Sequence, residues 1–211
     1  MIDATIERVK GFLLKPVESF QKYQADSIGT AFRYYVILLI GYTILTAIVG
    51  SISGIFIYSD LMNSFAQFGL PIGDVAGLSA FIISLNLVFV YLAFIILLFA
   101  IFLKGFFVHV FVLLFGGEKG YVQTMKVVLY ANTPALILGW IPFINIIGGI
   151  WTFVLMILGI RECQELSTGR AVLVMIIPIV LGLILMVFIL STLISLLTIF
   201  GEFASMLSML S

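Results

Sequence analysis

The residues of this chain that could do chemistry are few and lie close together. Tyr130, Asn132, Thr133 and Pro134 fall within one short apolar stretch. A proline inside a helix lacks the backbone N–H and clashes with the carbonyl four residues earlier, so we expect a bend here. The Asn and Thr side chains can bond the backbone groups that the bend frees. The pattern is typical of a packed kink in a helical bundle, and less often of a polar wall that binds an ion or a lipid headgroup.

Two further groups lie in a long apolar run. Lys104 is its only formal charge, and it could contact a lipid phosphate. We expect instead that its stem stays in apolar surroundings and its ammonium extends to the headgroups. His109 has no carboxylate within a helical turn and no nucleophile motif, so we do not expect it to be catalytic. Cys163 is the single cysteine, so neither a disulfide nor a His/Cys metal cluster is expected.

Small and polar residues indicate where helices pack closely. Gly50 and Gly54 form a small-xxx-small face, which could serve packing within the chain or formation of a homo-oligomer. Pro142 suits the first turn of a helix. Asn145 is a polar group at apparent membrane depth, and such groups usually hydrogen-bond between helices.

The composition places these residues in a membrane protein. Hydrophobic residues make up 63% of the 211 residues and charged residues 9%. Soluble domains are near 45–50% apolar and about 25% charged. So few polar side chains cannot cover a soluble surface. The balance of ten basic and ten acidic residues argues against nucleic acid as a partner, because phosphate contacts need a basic surplus.

We expect an all-α bundle of five transmembrane helices. About 20 apolar residues cross a bilayer, and the predicted spans are 34–58, 79–103 with an extension to 115, 121–141, 142–160 and 171–200. A loop at 59–78 holds Asp60, Asn63, Pro71, Gly73 and Asp74, which are typical of turns. Residues 201–211 form a short tail.

Residues 1–33 are expected to be a cytoplasmic amphipathic segment. Ile2, Ile6, Val9 and Leu13 recur at helical spacing, which suits a helix at the lipid surface. A second short helix should start at Pro16. Asp26 or Ser27 can cap the next helix, and Ser167 or Thr168 the last one. No apolar run here is long enough for a signal peptide, so the N-terminus is expected to be that of the mature protein.

The positions of the basic residues predict orientation. Arg and Lys precede the first span or lie in the second and fourth connections, whereas the first loop and the tail hold none. A cytoplasmic N-terminus and an outside C-terminus satisfy the positive-inside rule. The third and fourth helices could cross fully or dip in and return, and charge does not separate these options. Their lengths favour crossing.

The sequence from 116 to 171 carries a family resemblance. Its motifs are Gly116-Gly117, Tyr130-Ala-Asn-Thr-Pro134, Trp140-Ile-Pro142, Gly148-Gly-Ile-Trp151 and Gly159-Ile-Arg161-Glu-Cys-Gln164. They resemble the Yip1 family of five-span membrane proteins, specifically its prokaryotic branch. The resemblance implies a five-helix domain with a cytoplasmic N-terminus, located in the cell membrane if the source is prokaryotic. Eukaryotic members are linked to vesicle traffic and bind prenylated Rab-type GTPases. This chain lacks their long soluble N-terminal region, so GTPase binding is not expected here.

The function hypothesis is a non-enzymatic protein of Yip1 type that organises membrane or cytoplasmic protein partners or shapes the bilayer, without a cofactor. The alternative is a transporter or channel subunit for an ion, small molecule or lipid, for which the polar residues Asn132 and Asn145 could line a cavity. No Asp or Glu lies in mid-span, which disfavours an ion-coupled carrier. The motifs HExxH and GxSxG are absent, which disfavours an enzyme.

Overall fold

Long apolar helices dominate the architecture. The structure, a computed structural model, describes residues 2–68 and 75–210. These form α1 (Ile2–Leu14), α2 (Pro16–Tyr23), α3 (Ile28–Gln67), α4 (Val75–Leu114), α5 (Tyr121–Ala131), α6 (Thr133–Leu138), α7 (Ile144–Cys163) and α8 (Thr168–Leu210). No strand occurs among the described residues, which confirms the all-α class.

Four helices are long and apolar enough to cross a membrane. The suitable segments are Ile28–Ser64 in α3, Gly77–Leu114 in α4, Ile144–Cys163, which is all of α7, and Thr168–Glu202 in α8. Most of their large apolar side chains are exposed, as lipid-facing residues must be. The chain is therefore a membrane protein.

The predicted loop at 59–78 is wrong in its first half. Helix α3 continues through Asp60 and Asn63 to Gln67. The Ser64 hydroxyl donates to the carbonyl of Asp60 at 2.9 Å, so this polar stretch bonds along its own helix instead of ending it. Pro71, Gly73 and Asp74 lie outside the described residues. Helix α8 also continues past the predicted end of the last span at 200, as far as Leu210.

The predicted third and fourth helices differ in their ends. A helix over 121–141 is interrupted at Asn132, and its second part ends at Leu138. The next helix begins at Ile144, two residues after the predicted Pro142. The chain reverses in between, and Phe143 adopts a left-handed φ of 67° immediately before α7. This conformation, rather than the proline ring, marks the start of α7.

The helix starts are capped as predicted where serine is available. The Ser27 hydroxyl accepts from the N–H of Thr30 at 3.2 Å at the start of α3. The Ser167 hydroxyl accepts from the N–H of Arg170 at 3.4 Å at the start of α8. In each case the side chain satisfies one of the amides that a helix leaves unpaired at its beginning.

The buried residues concentrate at one end of the bundle. We call it the wide end, where α3 and α8 begin, α4 and α7 end, and α1 and α2 pack against α5, α6 and α7. At the opposite, narrow end α3 pairs with α4, and α8 is exposed throughout residues 179–202. The cross-section therefore shrinks from many helices to few along the bundle.

Aromatic side chains attach the N-terminal helices to the wide end. Phe12 of α1 is fully buried and stacks on Tyr130 with ring centroids 4.8 Å apart. Phe20 of α2 contacts Phe12 edge-on at 5.0 Å and lies over Gly159 of α7. Burying a Phe side chain contributes about 1.5–3 kcal/mol, so these two anchors help to hold α1 and α2 in place.

Gly159→Val should loosen this attachment. A Cβ at Gly159 would lie 2.6 Å from Cγ1 of Val127 and 2.7 Å from Cζ of Phe20, so neighbours must move. Overpacking of this kind costs about 1–3 kcal/mol, which a thermal-unfolding curve in detergent would register as a lower Tm.

Gly149→Val in the same helix is the matched control, because nothing lies within 4 Å of its Cβ position. Equal Tm values for the two variants would contradict the packing described here.

Candidate functional site

The break between α5 and α6 is built around one missing amide. Pro134 lies in the first turn of α6 and cannot donate to the carbonyl of Tyr130. The hydroxyl of Thr133 donates to that carbonyl instead, at 2.6 Å. Because this hydroxyl has a single hydrogen, it must accept from the Tyr34 hydroxyl, which lies 2.9 Å away on α3. The proline thus ties α6 to α3 through a satisfied network.

Asn132 supplies the remaining polar groups of the break. Its amide nitrogen donates to the carbonyl of Val128, so its oxygen faces outward as an acceptor. The Lys104 ammonium donates to this oxygen at 3.2 Å. Our expectation that Lys104 extends to the headgroups is therefore wrong. A fixed amide acceptor within reach directs the side chain into the contact between α4 and α5.

A second set of polar residues adjoins the break. It consists of Arg8, Asp26, Lys126 and Tyr130, and we call it the Tyr130 cluster. The Tyr130 hydroxyl donates to Oδ2 of Asp26 at 2.6 Å. Arg8 pairs with the same oxygen at 3.1 Å and donates to the Tyr130 hydroxyl at 3.3 Å. Lys126 donates to the backbone carbonyl of Asp26 at 3.0 Å and to that of Gln24. The cluster joins α1, the start of α3 and α5.

The electrostatics of the Tyr130 cluster keep its phenol protonated. Burial, and then the hydrogen bond to the Asp26 carboxylate, raise the pKa of Tyr130 well above its usual value. The phenol therefore remains a donor throughout the physiological range. Arg8 also lies 4.6 Å from the centroid of the Tyr23 ring, which adds a cation–π contact.

The spacing of Arg8, Asp26 and Lys126 in the sequence does not indicate that they belong to one cluster. From the sequence alone, Arg8 and Lys126 contribute only to the charge bias that predicts orientation, and Asp26 is only a candidate helix cap. Arg8 and Tyr130 are separated by more than half of the chain, so no spacing rule relates them. The one available signal is that a buried tyrosine hydroxyl needs a partner.

The other predicted residues lie elsewhere. Pro142 and Asn145 are exposed at the turn between α6 and α7, away from Asn132 and Lys104. Gly50 and Gly54 face α4, where a Cβ at Gly50 would meet Asn86 at 2.6 Å and one at Gly54 would meet Ile82 at 3.1 Å. This glycine face could serve packing within the chain or formation of a homo-oligomer. In the structure it packs against α4 of the same chain.

The His109 side chain belongs to a hydrogen-bond network that joins parts of the fold. Its Nδ1 lies 2.9 Å from the Thr124 hydroxyl, which also accepts from the Gln164 amide at 2.9 Å. Gln164 in turn donates to the carbonyl of Gly120 and accepts from the N–H of Lys119. These bonds fasten the connection between α4 and α5 to the end of α7.

Tyr130→Phe should release the N-terminal helices. The change removes a hydrogen bond to a charged acceptor, which contributes about 1.5–3 kcal/mol. Trypsin cleavage at Lys10 and Lys22 should then be about tenfold faster in detergent, since cleavage tracks the population of the open form.

Tyr91→Phe is the control, because Tyr91 is exposed on α4 and forms no hydrogen bond with the described residues. Unchanged cleavage of the Tyr130 variant would mean that the Tyr130 cluster does not hold α1 and α2 in place.

Comparison with protein-family models matches residues 10–207 to the Yip1 domain. The match covers the end of α1, all of α2 and the break at Asn132. No curated protein and no solved structure matches the chain.

Proposed function

This chain belongs to the Yip1 family, and we propose that it is a non-enzymatic multi-pass membrane protein that shapes the bilayer. In this proposal it places more helix in one leaflet than in the other. The observation that carries the proposal is the tapering of the bundle from its wide end to its narrow end.

Charged residues indicate where the bilayer lies along α3. Arg33 lies near the level of Phe102 on α4, because the ring of its neighbour Phe32 is 5.4 Å from the ring of Phe102. Asp60 is exposed on α3 toward the narrow end. Arg33 and Asp60 are separated by roughly 40 Å of helix at ~1.5 Å per residue. A tilted helix of that length spans a hydrocarbon core of about 30 Å.

The turn between α6 and α7 stops well short of the narrow end. Gly139, at the end of α6, packs against the Tyr42 ring of α3. At ~1.5 Å per residue, Tyr42 lies roughly 20 Å from the start of α3 and roughly 40 Å from its end. The sequence leaves open whether these helices cross fully or enter the membrane and return. The position of the turn at the level of Tyr42 supports a hairpin that enters and returns.

We therefore propose that α3, α4 and α8 cross and that α6 and α7 form a re-entrant hairpin. Helix α7 is long enough to cross, but its partner α6 has only six residues. The wide end holds Arg8, Arg33 and Arg161 and faces the cytoplasm under the positive-inside rule. An odd number of crossings then places the C-terminus outside. The hairpin, together with α1 and α2, enlarges the cytoplasmic leaflet only.

The transporter alternative gains less support. The contact between α4, α5 and α7 is filled by buried side chains, including Met125, Val128 and Leu155. The polar atoms of Asn132 are engaged by Lys104 and by the carbonyl of Val128. A chain that organises membrane proteins would also suit the taper, because strongly curved membrane concentrates wedge-shaped proteins.

Sorting by curvature tests the proposal. The purified, labelled full chain is reconstituted into small and large vesicles of one lipid composition. We expect a higher density per unit of membrane area in the small vesicles, with the wide end outward, as judged by trypsin access to the N-terminal lysines. Gly159→Val, which displaces α2, should weaken the preference, and Gly149→Val should retain it. Equal densities and random orientation at both sizes would contradict bilayer shaping.

A further inference from the structure

A small cavity lies between α1 and α3 at the wide end. Its volume is about 190 Å³, and it is lined by Ala4, Thr5, Arg8, Thr30, Arg33, Tyr34 and Ile37. Two arginines, two threonines and a tyrosine thus adjoin two apolar side chains. Among the residues that the structure describes, no carboxylate lines the cavity.

The two arginines of this cavity differ in charge compensation. Arg8 is paired with Asp26 at 3.1 Å within the Tyr130 cluster. Arg33 is exposed and forms no ion pair with any residue in the ranges 2–68 and 75–210. The cavity therefore carries one uncompensated positive charge. A guanidinium has the planar donor geometry that binds two phosphate oxygens at once.

The cavity also has the depth and polarity of a headgroup site. Arg33 is near the level of Phe102 on α4, because the ring of its neighbour Phe32 is 5.4 Å from the ring of Phe102. Ile37, one turn farther along α3, is exposed on the lipid-facing surface. A ligand in the cavity would meet cations at the boundary and hydrocarbon immediately below. A free anion would use only the first of these features, whereas a phospholipid would use both.

We propose that this cavity binds the phosphate of an anionic phospholipid from the leaflet at the wide end. The Arg33 guanidinium pairs with the phosphate, and an acyl chain follows Ile37. Basic pockets of this kind between membrane helices bind anionic headgroups in other proteins. The site needs only that α3 crosses the membrane, and it does not depend on the depth of the α6–α7 hairpin.

The test is lipid retention by the purified full chain in nonionic detergent, measured by native mass spectrometry. Phosphatidylglycerol is the probe, and phosphatidylcholine and inorganic phosphate are the comparison ligands. Arg33→Gln should weaken phosphatidylglycerol binding about fivefold, the contribution of one cation near an anionic surface. Arg33→Lys should retain part of the affinity, because it keeps the charge but loses the planar donor pair.

Arg170→Gln is the matched control, since Arg170 is exposed at the wide end on α8 and does not line the cavity. Its affinity should equal that of the unmodified chain. Ala4→Phe provides a second variant, which fills the cavity without removing a charge and should also weaken binding. Trypsin cleavage at Lys10 and Lys22 at the rate of the unmodified chain identifies the folded variants, since none of the substitutions removes these two sites.

Three results would overturn the proposal. The first is that Arg33→Gln and Ala4→Phe retain phosphatidylglycerol as well as the control does. The second is equal retention of phosphatidylcholine, which would mean that the lipid charge is not recognised. The third is complete displacement by inorganic phosphate at the concentration of the lipid, which would make the ligand a free anion.

Discussion

The missing amide of Pro134 is the constraint on which the rest of the structure depends. An unsatisfied backbone carbonyl in an apolar environment costs several kcal/mol, so the carbonyl of Tyr130 must find another donor. Thr133 supplies it and in turn accepts from Tyr34. The Asn132 amide donates to the carbonyl of Val128 and accepts a hydrogen bond from the Lys104 ammonium. The break at Pro134 is thus bonded to α3 through Tyr34 and to α4 through Lys104.

At the wide end, buried apolar side chains hold the N-terminal helices in place more than ion pairs do. Glu7 and Lys22, and likewise Lys15 and Glu18, form exposed pairs that contribute little to stability. Phe12 and Phe20 are buried, and they bring Arg8 to Asp26 and Tyr130. The N-terminal helices thus pack as part of the bundle, which adds their volume to one end and produces the taper on which bilayer shaping is proposed.

The sequence predicted the features that depend on local chemistry. The break near Pro134, the serine caps and the long apolar helices all follow from residues close together in the chain, and each is confirmed. The extension of α3 to Gln67 was missed because Asp60 and Asn63 suggest a turn, although the surrounding residues permit a helix. The direction of Lys104 and the Tyr130 cluster were missed because their partners come from distant helices, and composition and spacing do not contain that information.

The depth of the turn between α6 and α7 tests the account most directly. Trp140 lies at this turn, and its indole N–H donates to the carbonyl of Ile137 at 2.8 Å. In a Trp151→Phe background it is the only tryptophan, so its fluorescence reports on one depth. We predict that lipids brominated near the ends of their acyl chains quench it most strongly. Strongest quenching by bromines near the headgroups, or by a water-soluble quencher on the far side, would contradict the re-entrant hairpin.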